Sequence, residues 1–226
     1  MLRDCEGAKL SKLKCNQNEV ENIGAILNGQ INSGNDASPS KFMQTNNQHQ
    51  IIHLATHACV DNQNPLLNKV YFSDDDLSLL DFYNIQLNTE LVVLSACNTG
   101  VGKIQKGEGV MSIARGFMAA GSPSTMLSLW SVDDCSTSDM MGYYYKNLKA
   151  GDSKHKALQK AKLEFLNTAP KAMKHPFYWG AFVQFGNVEP LDFSSGYHLT
   201  SWWILGLGIL LLILIFYFRK FKQSNS

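Results

Sequence analysis

Short apolar runs punctuate this chain, and each ends abruptly in polar or small residues. QIIHLATHA (50–58) gives way to DNQNP, and LVVLSA (91–96) gives way to Cys97-Asn98-Thr99-Gly100. Such runs, bounded by turn residues and rich in β-branched side chains, predict strands buried on both faces. STMLSLW (124–130) and AFVQF (181–185) repeat the pattern, and VYF (70–72) is a shorter strand. Helical spacing fills the intervals. Val20, Ile23 and Leu27 share one face of a short helix over 19–28 that Gly29 would stop, and DLSLLDFYNIQL (76–87) is helix-like. Val110, Ile113, Ala114, Phe117 and Met118 form a stripe ending at Gly121. Further helices follow SVDDCST (131–137) and run through SKHKALQKAKLEFLN (153–167). The segment GQINSGNDASPSK (29–41) reads as loop, with Ser38 or Ser40 able to cap a following turn. Strands alternating with helices predict an α/β fold, a mostly parallel sheet flanked by helices.

The other strong pattern is apolar without interruption. WWILGLGILLLILIFYF (202–218) carries no charge, and with the lead-in 199–201 it reaches the ~20 residues a bilayer needs. Aromatic residues sit at both ends, and Arg219, Lys220 and Lys222 follow. The chain therefore divides into an N-terminal segment (1–18), one α/β domain (19–190), a linker (191–201), a single transmembrane helix (202–218) and a basic tail (219–226). The expected location is a membrane, with the tail on the cytoplasmic side by the positive-inside rule. No signal peptide opens the chain, so insertion as a tail anchor would instead leave the domain cytoplasmic. The two arguments leave the side of the α/β domain open.

Charge and cysteines narrow the function classes. Twenty Lys and Arg against 19 Asp and Glu leave a formal net charge of +1, which provides no general field for nucleic acid. The partner must be recognised locally. Five cysteines (Cys5, Cys15, Cys59, Cys97 and Cys135) make an odd number without a C-x-x-C pair, arguing against a disulfide framework and a zinc knuckle. At least one thiol is expected to be free.

In parallel sheets, functional groups collect just beyond the carboxyl ends of the strands. His57 and Cys97 both stand at such ends. A thiol attacks a carbonyl as thiolate, and an adjacent imidazole can take its proton, so the pair is a candidate base and nucleophile. Ser95, Ala96, Thr99 and Gly100 are small and leave the thiol uncrowded. Taken singly, a buried cysteine is more often a core residue and a strand-end histidine a structural one. Cys59 is a rival thiol because it lies close to His57 in sequence. His53 and His57 have the four-residue spacing of a zinc-binding helix pair, but they lie in a strand pattern and lack the accompanying Glu. Gly100, Gly102 and Lys103 lack the spacing of a phosphate loop. No metal and no cofactor is expected.

HLATHA, then LVVLSACNTGVG, then GEGVMSIARGFMAAGSPSTMLSLWSVDD, then HPFYWGAFVQFG resemble, in that order, the motifs of the CHAT domain family, similar in fold and site to caspases and separases. The resemblance covers roughly residues 20–187. It implies a caspase-like fold, with His57 as general base, Cys97 as nucleophile, and the backbone N–H groups of Cys97 and Ala58 as the oxyanion hole. Many members have glycine where this chain has Ala58. It implies peptide-bond hydrolysis on a specific protein substrate, or alternatively a non-catalytic signalling or scaffold module that binds a partner protein. Glu108, Asp133 and Asp134 become candidate specificity acids, although each equally suits a helix cap. Family members commonly begin with earlier strands and often follow tetratricopeptide repeats. The sheet is therefore expected to lack its first strands and to expose an edge, and a tetratricopeptide-repeat region is an expected partner.

Overall fold

A computed structural model describes residues 12–61, 64–95 and 108–193, without the side chains of residues 65 and 108–112. The chain forms two compact units, Met1–Leu191 and Asp192–Ser226, and the described helices and strands all lie in the first. The apolar segment 202–218, read as a transmembrane helix, lies outside the described residues. Among the described residues, no helix is long and apolar enough to cross a membrane.

The first helix, α1 (Asn16–Leu27), begins three residues earlier than its apolar spacing predicts. Its stop is Asn28, in the left-handed conformation at φ 55°, with Gly29 N–H donating to the Gly24 carbonyl at 3.0 Å. Asparagine tolerates that conformation better than most residues. Ser38 caps α2 (Pro39–Thr45) by accepting from Lys41 N–H at 3.2 Å, with Pro39 at the first helical position.

The run 50–58 is not one strand. Its first part is β1 (Ile51–Leu54); after a bend, β2 (Ala58–Cys59) joins a different, antiparallel sheet with β3 (Lys69–Tyr71) and β4 (Asp76–Ser78). A continuous apolar run records burial on both sides of the bend, but not the change of partner. The helix-like stretch that follows is also divided. After β4 comes the five-residue α3 (Leu79–Tyr83), started by a capping box in which Ser78 Oγ and Asp81 bond each other's backbone N–H. Ile85 and Leu87 then run buried in extended chain. Leu87 passes Gly121 so closely that a Cβ there would meet the Leu87 carbonyl at 2.5 Å, and Gly121 has φ +116°. Only glycine suits that crossing.

The remaining elements are β5 (Leu91–Leu94), α4 (Glu108–Ala119), β6 (Ser124–Ser128), α5 (Asp134–Lys149), α6 (Lys154–Thr168), the one-turn α7 (Pro176–Trp179) and β7 (Phe182–Gly186). The main sheet has the order β1-β5-β6-β7, with the first three strands parallel and β7 antiparallel to β6. Alternate residues of β5 enter opposite cores. Leu91 and Val93 pack with Met140, Tyr144 and Phe165 under α5 and α6, whereas Val92 and Leu94 pack with Phe82, Ile113 and Phe117 under α3 and α4. Such two-faced burial is why LVVL contains no polar residue.

Among the described residues, β1 is an end strand of this sheet. The Gln50 and Leu54 carbonyls accept from Leu91 and Ser95 N–H on the β5 side. By the alternation of a parallel ladder, the main-chain groups of Ile51 and His53 point the other way. A cleft of about 550 Å³ lies along that side, lined by Val20 and Ile23 of α1, by the loop 29–38 and by Ile51 and His53.

Two fasteners hold α1. Glu19, 3% exposed, places Oε1 3.0 Å from His53 Nε2, and His53 Nδ1 lies 3.1 Å from the Tyr145 hydroxyl. Burial, then the nearby Tyr144 and Glu19, pushes the Tyr145 hydroxyl well above the usual tyrosine range. It therefore keeps its proton, and each ring nitrogen of His53 has a hydrogen-bonding partner. The second fastener corrects the reading of the cysteines: Cys15 and Cys135 form a disulfide, with Cα atoms 5.1 Å apart and a sequence separation of 120. No local motif announces a pair that only the packing of α1 on α5 brings together.

A cross-link closing so long a loop stabilises by about 5 kcal/mol on the chain-entropy account, with typical measured values of about 2–4. Cys135→Ser should lower the unfolding free energy in denaturant titrations by roughly 2–5 kcal/mol. Glu19→Ala leaves a buried imidazole nitrogen without its partner and should cost roughly 3 kcal/mol in the same titration, with Glu19→Gln costing less.

Candidate active site at the carboxyl ends of β1 and β5

β1 and β5 pair in parallel with the register Ile51↔Leu91 through Leu54↔Leu94. Their carboxyl ends therefore lie side by side, and β6, in register through Leu94↔Leu127, ends there too. His57 stands three positions after Leu54, and Cys97 stands three positions after Leu94. Residue 97 lies outside the described residues, as does the loop to residue 107.

His57 occupies the bend between the two sheets and is 8% exposed. The bend is anchored on β3: Tyr71 N–H donates to the His57 carbonyl at 3.0 Å, and Thr56 Oγ1 donates to the Tyr71 carbonyl at 2.6 Å. The His57–Tyr71 bond sets the parity of the β2–β3 ladder. Ala58, opposite Val70, is then a non-hydrogen-bonded position whose N–H and carbonyl point away from β3. An N–H turned out of the ladder is what an oxyanion-hole donor requires.

The three acids sit differently. Glu108 opens α4, and its side chain lies outside what is described. Asp133 caps α5, its carboxylate accepting from Ser136 N–H and Ser136 Oγ, each at 2.9 Å. Asp134 accepts from Lys14 N–H at 3.0 Å. Both therefore lie beyond the carboxyl end of β6, at the same end of the sheet as His57, and both already hold structural bonds. On α5, the Asp139 carboxyl is raised above its usual range by burial and then by Asp133.

His53 is turned away from this role, since its ring nitrogens face Tyr145 and Glu19. Cys59 is buried in β2. Trp130 and Trp179 pack against the core under α5 and donate their indole N–H groups to the Phe177 and Lys174 carbonyls. The sequence reading missed Tyr71 as the partner of the His57 bend. The signal available was KVY, a short alternating strand after a turn, which marks a hairpin with the preceding HA segment.

Comparison with known proteins agrees with this geometry. Over 119 residues, 53% of this chain, the sequence is 30% identical to Tetratricopeptide repeat protein 28 of Homo sapiens and 27% identical to that of Mus musculus. The chain spans about 5% of the length of these relatives. The CHAT domain model matches residues 3–187, most of the chain. A mostly parallel sheet flanked by helices, with HLATH leading out of one strand and SACNTG out of its neighbour, thus accompanies a family match of nearly full extent, and the chain belongs to the CHAT domain family.

Proposed function

We propose that this protein is a caspase-like cysteine endopeptidase that cuts a specific protein partner with His57 and Cys97. The observation that carries the reading is the register of β1 on β5. Histidine and cysteine follow register-paired residues by the same three positions on adjacent parallel strands. In the proposed reaction, His57 takes the Cys97 proton and the thiolate attacks the scissile carbonyl. The N–H groups of Ala58 and Cys97 hold the oxyanion. The tetrahedral species collapses as His57 protonates the leaving amine, giving a thioester. Water then attacks the thioester, with His57 taking its proton, and releases the carboxylic acid and the thiol. No metal or cofactor enters these steps.

An acid at this end of the sheet would favour a basic residue before the cut. Of the three, Asp133 is already committed to Ser136 and Asp134 to the Lys14 N–H, so Glu108 is the stronger candidate. The relatives are tetratricopeptide repeat proteins, which supports a repeat region as the element that presents the substrate. The apolar segment 202–218 and the basic residues after it support tethering to a membrane.

A peptidyl acyloxymethyl ketone, which alkylates a catalytic thiol, should label the full chain at Cys97. Labelling should vanish in Cys97→Ala and fall by at least about 100-fold in His57→Ala, since general acid–base catalysis contributes that much. It should survive in Cys59→Ala. Equal labelling in the parent and both dyad variants would reject the peptidase and leave the partner-binding module.

A further inference from the structure

The stretch that carries His57 belongs to neither sheet, and the side chain of Thr56 ties it to β3. Thr56 Oγ1 reaches the Tyr71 carbonyl at 2.6 Å, the short end for a hydroxyl bond. The other polar group of Tyr71, its N–H, donates to the His57 carbonyl at 3.0 Å. Consecutive residues of the bend are thus bonded to one residue of β3. Tyr71 is 4% exposed and is paired with Asp76 of β4. The anchor is therefore a buried strand and not a loop. In a regular antiparallel pair the Tyr71 carbonyl would be served by an opposing main-chain N–H. Here a side-chain hydroxyl one residue upstream reaches it.

We propose that Thr56 is a positioning residue for His57, an assignment that rests on the peptidase reading above. The bond from Thr56 fixes the rotation of the chain as it leaves β1. The bond to the His57 carbonyl fixes it again one residue later. Between these two points the direction of the His57 Cα–Cβ bond is set, and with it the approach of the imidazole to the end of β5. Threonine suits the task because β-branching stiffens χ1, so the hydroxyl is held toward β3 at little entropic cost. Alanine or valine would remove the side-chain bond to the Tyr71 carbonyl and keep the bond to the His57 carbonyl.

The test compares Thr56→Val, which keeps the shape and removes the donor, with Thr56→Ser, which keeps the donor. In the full chain, labelling by the same acyloxymethyl ketone is resolved into kinact and KI. Thr56→Val should lower kinact by about tenfold or more with KI within about twofold, since small displacements of a catalytic group act on the chemical step. Thr56→Ser should recover kinact to within about threefold of the parent, because it restores the bond. Exchange of the Tyr71 amide hydrogen should accelerate by on the order of tenfold in the valine variant, while the Ile52 amide in β1 stays as protected as in the parent. Three results would overturn the assignment: parental kinact in Thr56→Val, an equal loss in the serine and valine variants, or a lowered melting temperature with kinact unchanged. If His57→Ala labels like the parent, the peptidase reading itself fails and takes the positioning role with it. Normal dependence on His57 with an indifferent Thr56 rejects the positioning role alone.

Discussion

The parallel pairing of β1 with β5 is the constraint on which the rest of the structure depends. β5 is buried on both faces, with Leu91, Val92 and Val93 fully inaccessible, so its position is fixed by two cores at once. Among the described residues β1 has one ladder, and its register on β5 decides where the chain leaves the sheet. A slip of one residue would turn Ile52 out of its core and carry His57 to a different height above the strand ends. Packing of the core and placement of the site are therefore one requirement.

Because β1 is an end strand among the described residues, it needs support from outside the sheet. Glu19 and Tyr145 supply it on one face through His53, joining α1 and α5 to the middle of the strand. The Cys15–Cys135 bond holds the start of α1 against the start of α5, next to the loop that leaves β6. Beyond the strand, Tyr71 of the small antiparallel sheet takes over, anchoring Thr56 and the His57 carbonyl. The site residue is thus supported by contacts at sequence separations of 14 to 120 residues, which no local pattern displays.

What could be read from the sequence was what burial alone imposes. β5, β6 and β7 came from apolar runs, and Ile113, Ala114 and Phe117 from the stripe of α4. Met118, assigned to that stripe, is instead 40% exposed, its methyl reaching toward Gly186. The break between β1 and β2 was not legible, since no glycine, proline or charged residue marks the bend where the hydrogen-bonding partner changes from β5 to β3. The division of residues 76–87 into β4 and α3 was hidden because Leu79 and Phe82, three apart, satisfy helical spacing, and the capping box that starts the helix sits inside the apparent pattern. Asp133 was legible only as a choice, cap or specificity acid, and its bonds to Ser136 show the cap. The cysteine count argued against a disulfide because counting cannot register two helix starts brought together by packing.

The central claim is that the shared register of β1 and β5 brings the His57 imidazole against the Cys97 thiol. The most direct measurement is the rate of Cys97 alkylation by iodoacetamide as a function of pH, followed by peptide mass analysis in the full chain and in His57→Ala. A thiol paired with imidazole should alkylate with a midpoint well below the ordinary cysteine value of about 8.5, and the midpoint should rise toward that value when His57 is removed. Superimposable profiles with an ordinary midpoint in both proteins would contradict the account.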